Sequence, residues 1–144
     1  MGKIIALVAC VSKKKVSADK AENLYISDWF RKASEYAKRK AEEWYILSAE
    51  HGVLNPEDEI APYEKTLKKM KKDEKIKWAE RVKSQLEKIA SPGDTLIILA
   101  GNEYRKLLLD FFFEKGCKVE IPMKGLRIGE QIKWLQQQLE NPEN

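Results

Sequence analysis

The chain of 144 residues contains only two cysteines, Cys10 and Cys117, and one histidine, His51. Two cysteines are too few for a disulfide framework, and both stand beside apolar runs typical of strands, so we expect reduced thiols. One histidine and two cysteines on separate strands do not make a plausible metal-ligand set. The sequence therefore predicts no metal site, and we expect no cofactor.

Long hydrophobic runs are also missing. The first apolar run, Lys3–Ala9, is too short for a signal peptide and is soon followed by lysines. No run approaches the roughly 18 apolar residues that a membrane span requires. We therefore expect no membrane association and a cytoplasmic location. The formal net charge of +4 permits nucleic-acid or nucleotide partners without requiring them.

The familiar glycine-rich and nucleophile motifs are absent as well. The sequence contains no G-x-G-x-x-G or Walker A phosphate loop and no G-x-S-x-G elbow. A catalytic triad would have to use His51, the single histidine. Any function must therefore be sought in residues that the fold brings together.

Four short apolar runs are what the chain does contain. The first three are nearly continuous in hydrophobicity, which is typical of strands buried on both faces of a parallel sheet. With amphipathic stretches between them, they predict an α/β fold: a single three-layer domain over residues 1–144, with a mainly parallel sheet of about four strands and helices on both faces. The runs are Lys3–Ala9, Trp44–Ala49, Thr95–Ala100 and Cys117–Pro122.

Helices are predicted between and after these runs. The lysine-rich stretch Lys65–Lys77 is expected to form a helix that faces water. Asn102 is a candidate N-cap for the helix that ends near Gly116. Two further stripes of apolar residues at helical spacing predict buried faces; they comprise Ile76, Ala79, Val82, Leu86 and Ile89, and then Ile128, Ile132, Leu135 and Leu139.

Polar residues follow the end of each predicted strand. The carboxyl ends of parallel strands meet at one edge of the sheet, and ligands of open α/β sheets bind there. We therefore expect a site built from these segments. Its candidate residues are Cys10, Ser12, Lys13, Lys14, Tyr25, Ser27, Ser48, His51, Glu57, Asp58, Glu59, Tyr63, Gly101, Asn102, Tyr104, Arg127 and Gln131.

Each candidate also has an ordinary structural interpretation. The lysines after the first strand suit a phosphate or form a solvated run, and Ser27 suits an anion site or a plain N-cap. Tyr63 either stacks on a base or packs in the core. Glu57–Glu59 either orient His51 or form a turn. Arg127, between apolar neighbours, suits a carboxylate or a phosphate.

The motifs together resemble a family of small prokaryotic and phage domains of unknown function. The resemblance covers almost the whole chain. It is carried by Cys10 and Lys14, by "LYISDWF" and "WYILSAEHGVL", by "IAPYEKTL" and "LAGNEY", and by "PMKGLRIGEQIKWL". Such a family implies shared architecture but no established reaction.

Two more distant resemblances suggest a substrate class. The segment "LSAEHGVLNPEDEIAPYEKTL" resembles the YaaA peroxide-stress family, whose members are linked to DNA binding, although His51 stands where that family has tyrosine. The loop at Cys10 resembles archaeosine-synthase-type domains, which share a uracil-glycosylase-like architecture, but the proline and histidine of that signature are missing here. These resemblances imply nucleobase chemistry and DNA more than RNA.

Three functions remain open at this point. The first is an enzyme that acts on a nucleobase, nucleotide or nucleic acid at an N-glycosidic bond or a modified base. In that case the candidate site residues that are not catalytic would bind the substrate. The second is a non-catalytic binder of nucleotides or nucleic acid that contacts phosphates through Lys65–Lys77 and the loop after the first strand. The third is a structural or partner-binding domain. Oligomeric state stays open. The candidate catalytic residues are Cys10, His51, Glu57, Asp58 and Glu59.

Overall fold

The computed structural model describes residues 2–141 as one mixed α/β domain around a five-stranded sheet. The sheet order is β4-β3-β1-β6-β7, and a separate two-stranded ribbon pairs β2 with β5. The strands are β1 (Ile4–Ala9), β2 (Asp19–Lys20), β3 (Glu43–Ser48), β4 (Gly52–Leu54), β5 (Glu59–Ile60), β6 (Thr95–Leu99) and β7 (Lys118–Glu120), and the helices are α1 (Ala21–Leu24), α2 (Asp28–Lys40), α3 (Lys72–Glu87), α4 (Asn102–Lys115) and α5 (Ile128–Glu140).

The central strand β1 is buried because it is flanked and covered on every side. It runs parallel to β3, with Val8 opposite Ile46, and parallel to β6, with Val8 opposite Leu99. Ile5, Ala6, Leu7 and Val8 of β1 are fully buried. All four predicted strands are present and parallel, as their continuous apolar character indicated.

Helices cover both faces of this sheet. The chain passes from β1 to β3 in one direction and from β3 to β6 in the other, so right-handed crossovers place α2 and α3 on opposite faces. Helix α5 packs on α2, where the Trp29 indole donates to Gln131 at 2.8 Å. Helix α4 packs on α3, where Lys75 pairs with Glu103. The three-layer α/β prediction is confirmed.

The sheet has one strand more than the sequence indicated. After β3, residues Ala49–His51 turn the chain back, and β4 pairs antiparallel at the edge. Gly52 begins β4 with φ +76°, a conformation that favours glycine. The side-chain amide of Gln85 accepts from the Val53 N–H at 2.8 Å and so occupies part of the exposed edge. Three residues carry too little periodicity to be recognised as a strand.

The predicted helix over Lys65–Lys77 is wrong in its first half. Residues Leu67–Lys69 form a single 3₁₀ turn, the backbone then extends, and α3 begins only at Lys72. Leu67 is 1% exposed, so this turn packs into the core instead of facing water. In α3 the buried stripe includes Trp78, whereas the predicted Ile76 is half exposed.

The long loop after β1 is folded back on itself. Lys14 and Tyr25 form an isolated antiparallel bridge, and the Lys15 N–H donates to the Leu24 carbonyl at 2.9 Å. The ribbon of β2 and β5 then ties this loop to the segment after β4. The loop is thereby fixed beside the carboxyl ends of β1 and β3. Within residues 2–141, no helix combines the length and apolarity needed to cross a bilayer.

Candidate functional site

The sheet has a topological switch point between β1 and β6. The connections that follow these neighbouring strands leave in opposite directions, which opens a crevice at their carboxyl ends. A cleft of about 590 Å³ lies there. Its lining comes from the loop after β1, from the 3₁₀ segment and from the start of α4: Cys10, Val11, Ser12, Lys65, Thr66, Leu67, Lys68, Lys69, Gly101, Asn102, Glu103 and Tyr104.

The inner wall of the cleft is formed by a thiol and a phenol. The Cys10 sulfur lies 3.2 Å from the Tyr104 hydroxyl oxygen, and the Tyr104 ring packs edge-on against Trp78 at 5.5 Å between centroids. Burial raises the pKa of the Tyr104 phenol far above its ordinary value, so the hydroxyl stays protonated. Cys117 lies at the amino end of β7, whereas Cys10 lies at the carboxyl end of β1, and both thiols are free.

The opposite wall is cationic. Lys65, Lys68 and Lys69 line the cleft from the 3₁₀ segment. None of the ion pairs within residues 2–141 involves these three lysines. The one carboxylate of the lining, Glu103, is already paired with Lys75 and Lys106. The cleft therefore presents uncompensated positive charge.

A smaller hollow of about 320 Å³, the side lobe, adjoins the cleft. The side lobe and the cleft share four lining residues, so the two spaces are adjacent. The lining of the side lobe is Ser12, Lys14, Tyr63, Glu64, Lys65, Thr66 and Lys69.

Lys14 is held in the side lobe by an aromatic face. Its ammonium lies 4.3 Å from the centroid of the Tyr63 ring and donates to the Ser12 carbonyl at 3.2 Å. Partial burial lowers the pKa of Lys14, while the nearby Cys10 and Glu64 oppose that shift. A cation–π contact and one carbonyl hydrogen bond leave ammonium protons for a ligand.

A chain of three hydroxyls stands behind Lys14. The Tyr63 hydroxyl oxygen lies 2.6 Å from that of Tyr25 and 2.7 Å from the Ser48 hydroxyl. Ser48 also accepts from the backbone N–H groups of Glu50 and His51. Burial raises the pKa of Tyr25 to about 12 and that of Tyr63 further, so both phenols are neutral at pH 7. The chain joins the loop after β1, the end of β3 and the segment after β5.

His51 lies against this chain and is absent from the lining of the cleft. Its ring packs edge-on against Tyr63 at 5.4 Å between centroids, and its backbone N–H donates to Ser48 at 3.1 Å. The imidazole therefore supports the ring that carries Lys14. Sequence reasoning placed it correctly at the end of β3 but gave no indication of this packing.

The structure does not bring Glu57, Asp58 or Glu59 to the cleft. All three are exposed, in and after a turn in which the Asn55 N–H donates to the Asp58 carboxylate at 3.0 Å. Glu59 lies in β5, opposite Lys20. The turn interpretation is the one that the geometry favours.

Four further candidates also stand outside the lining of the cleft and side lobe. Ser27 accepts from the Phe30 N–H at 3.0 Å and caps α2. Gln131 accepts from Trp29 and donates to the Leu126 carbonyl, which joins α5 to α2. Lys13 and Arg127 are exposed. Gly101 rather than the predicted Asn102 is the N-cap of α4, although both line the cleft.

The binding hypothesis assigned phosphate contacts to Lys65–Lys77, but sequence reasoning missed the 3₁₀ turn and the position of this segment on the wall of the cleft. Thr66 and the lysines beside it were assigned to a solvated helix, because charge runs usually form solvated faces. The available signal was Leu67, an apolar residue within a lysine-rich stretch, four residues after Tyr63. Within residues 2–141, no three His, Cys, Asp or Glu side chains come close enough together to hold a metal ion.

The fold and the cleft define a doubly wound α/β domain with a ligand-sized crevice at its switch point. Residues 5–137 match a family of unknown function, DUF6884, and the chain belongs to that family. The chain is also 33% identical over 114 residues to the uncharacterized protein YfjM of Bacillus subtilis (strain 168), covering 74% of this chain and 75% of the relative.

No solved structure matches the chain. The expected membership in a small family of unknown function is confirmed. The resemblances to YaaA and to archaeosine-synthase-type domains are tested by neither match and stay predictions.

Proposed function

We propose that this protein binds a nucleotide, free or within a nucleic-acid strand, in the cleft between β1 and β6. The observation that carries the proposal is the pairing of two unlike walls at a topological switch point. One wall presents Cys10 and Tyr104, and the other presents three lysines without ion-pair partners. A flat, partly apolar base and an anionic phosphate are the two chemistries that such walls favour.

The dimensions of the cleft agree with this ligand class. Small-molecule sites usually enclose roughly 300–1,000 Å³, and the cleft encloses about 590 Å³. Gly101 and Asn102 at the start of α4 add backbone N–H groups at the same rim, where a helix dipole favours negative charge.

Binding has more geometric support than hydrolysis of an N-glycosidic bond. Hydrolysis needs a group that activates water or protonates the leaving base within hydrogen-bond reach of the substrate. The predicted carboxylates lie in an exposed turn, and His51 lies behind Tyr63. Cys10 is the predicted catalytic residue that lines the cleft. An enzymatic role is therefore the second candidate function. The absence of binding in the experiment below would favour a purely structural domain.

Gly101 offers a direct test. A Cβ added there meets no atom within 4 Å, and its φ of −71° suits any residue, so Gly101→Phe adds a bulky ring at the lining of the cleft without straining the backbone. Gly129 at the start of α5 has equally open surroundings and lies outside the cleft lining, so Gly129→Phe is the matched control.

The measurement is calorimetric titration with the four nucleoside 5′-monophosphates and with short single-stranded DNA and RNA. We expect binding by the unmodified protein and by Gly129→Phe, and at least about tenfold weaker binding by Gly101→Phe, which corresponds to about 1.4 kcal/mol. Equal affinities in all three proteins, or no binding to any of these ligands, would sink the proposal. Unchanged melting temperatures establish that the substitutions act on the cleft.

The charge distribution favours a strand over a free nucleotide. Residues 65–83 contain nine Lys and Arg against three Asp and Glu, a net charge of +6, whereas the rest of the chain has 18 against 20, a net charge of −2. Lys65 also lines a third hollow of about 300 Å³ with Lys77 and Arg81 on α3. The basic surface thus continues beyond the cleft, as the backbone of a strand requires.

A further inference from the structure

The hydroxyl of Thr66 has no hydrogen-bond partner. Its Oγ1 is buried and is the one buried side-chain polar atom within residues 2–141 that lacks a partner. Thr66 lines both the cleft and the side lobe, at the boundary between them. Buried hydroxyls are nearly always paired, so an orphan at the wall of a hollow calls for a partner that enters the hollow. The residue as a whole is partly exposed and lines the side lobe.

Cations surround the same lobe. Lys14, Lys65 and Lys69 line it, against the single carboxylate of Glu64. Lys65 and Lys69 take part in none of the ion pairs within the described residues, and Lys14 rests on an aromatic ring. Three ammonium groups and an unpaired hydroxyl around about 320 Å³, against one carboxylate, give the lobe an excess of donors over acceptors.

The cleft and the lobe differ in chemistry while sharing a wall. Apart from the shared residues, the cleft lining includes the apolar and aromatic side chains of Val11, Leu67 and Tyr104 as well as Lys68 and Glu103. The unshared lining of the lobe is Lys14, Tyr63 and Glu64. The shared residues, Ser12, Lys65, Thr66 and Lys69, lie between the two spaces. One ligand can therefore place a flat apolar part in the cleft and an anionic part in the lobe.

We propose that the side lobe is a phosphate subsite, in which Lys14, Lys65, Lys69 and the Thr66 hydroxyl donate to one terminal phosphate. The ligand of the cleft is then a nucleotide that carries its own phosphate, and the unphosphorylated nucleoside is discriminated against. The identification of the apolar part of the ligand as a nucleoside rests on the proposed function. The phosphate subsite itself does not depend on it.

Titrations followed by two-dimensional NMR of the ¹⁵N-labelled chain test the subsite. The ligands are inorganic phosphate, pyrophosphate, the four nucleosides and their 5′-monophosphates. We expect inorganic phosphate and pyrophosphate to shift the amide signals of residues 64–69, and each monophosphate to bind at least about tenfold more tightly than its nucleoside. Short oligonucleotides with and without a 5′-phosphate distinguish a strand end from a free nucleotide as the source of the phosphate.

Substitutions separate the subsite from general electrostatic attraction. Lys14→Gln and Lys69→Gln each remove one charge from the lobe, and Lys133→Gln on α5 removes the same charge from an exposed position outside it. We expect roughly tenfold loss of phosphate affinity in the first two proteins and less than twofold loss in the control. Equal losses in all three would overturn the subsite.

Thr66→Val and Thr66→Ser test the hydroxyl. Valine keeps the shape of the side chain and removes the donor, and serine keeps the donor. We expect Thr66→Val to bind phosphate several-fold more weakly at unchanged melting temperature, and Thr66→Ser to retain most of the affinity. If Thr66→Val binds phosphate as the unmodified protein does, the role of Thr66 is wrong.

The outcomes for the two proposals are distinct. Monophosphates that bind no better than their nucleosides overturn the phosphate subsite and leave the proposed function standing. Phosphate and pyrophosphate that bind in the lobe, with no gain from an attached nucleoside, support the subsite and count against nucleotide binding. An absence of binding by every one of these ligands refutes both.

Discussion

Replacement of Tyr63 by phenylalanine tests the hydroxyl chain that supports the wall of the side lobe. The direction of the chain follows from donor counting. Ser48 already accepts two backbone N–H groups, at 3.1 and 3.2 Å, so its own hydrogen is donated to the Tyr63 oxygen. Tyr63 in turn donates to Tyr25 at 2.6 Å. Tyr63→Phe removes both bonds and leaves two buried hydroxyls each without one partner.

The expected loss is set by those two groups. Leaving one buried donor or acceptor without its partner costs roughly 1–3 kcal/mol. Ser48 is fully buried and Tyr25 is 3% exposed, so neither is compensated well by water. The phenyl ring is more apolar than the phenol, which offsets part of the loss. We expect Tyr63→Phe to lower the free energy of unfolding by about 2 kcal/mol, a fall in Tm of about 6 °C for a chain of this length.

Urea denaturation measures the change, and Tyr36→Phe is the control. The Tyr36 hydroxyl takes part in no hydrogen bond among residues 2–141, and its ring contact with Trp134, 5.2 Å between centroids, survives in phenylalanine. The control should therefore change stability by less than about 0.5 kcal/mol. A Tyr63→Phe protein that unfolds at the same urea concentration as Tyr36→Phe would refute the hydroxyl chain. An unchanged m-value in both variants indicates that the substitutions change stability and not the surface exposed on unfolding.

Two further predictions concern pH. Burial raises the pKa of Tyr25 in the folded state to about 12, above its ordinary value of 10.0. The neutral phenol therefore contributes its full share of the folding stability below pH 10, and this share is lost as the pH rises toward 12. Unfolding titrations from pH 8 to 12 should show a smaller loss of stability in Tyr25→Phe than in the unmodified protein. Hydrogen bonds from the Lys3 and Ser91 N–H groups lower the pKa of Asp94 below 3.8. Asp94→Ala should cost about 2–4 kcal/mol at pH 7, and its deficit should shrink as pH falls below about 4.

Strands and layers were predictable because their signals are local. Apolar runs such as Thr95–Ala100 stand out in any window of the sequence, and the alternation of such runs with amphipathic stretches leaves few topologies. The predicted edge of the sheet follows from the same reasoning. It correctly brought Cys10, Tyr104 and Gly101 to one cleft, from sequence positions about 90 residues apart.

Residues whose position depends on tertiary packing were not predictable. Ile128 has the spacing of a buried residue, yet it is 62% exposed because α5 begins there, beyond the edge of α2. Leu67 interrupts a lysine run and draws the chain into a 3₁₀ turn that no local propensity favours. Gln131 and Arg127 follow the last strand, but α5 turns toward α2 and takes them away from the cleft. Each case is decided by a partner that is distant in sequence.

Tyr63 contributes both to folding stability and to the proposed phosphate subsite, through different parts of its side chain. Its oxygen holds the end of β3 to the loop after β1, whereas its ring supports the ammonium of Lys14 at 4.3 Å. Phenylalanine keeps the ring, so Lys14 keeps its cation–π partner in Tyr63→Phe. If the ring alone positions the ammonium, Tyr63→Phe should lose much stability but little phosphate affinity. If stability and phosphate affinity fall together, the hydroxyl chain is what keeps the lobe in shape. An aromatic face, unlike a carboxylate, holds a lysine without neutralising it, and that leaves its charge available to an arriving anion.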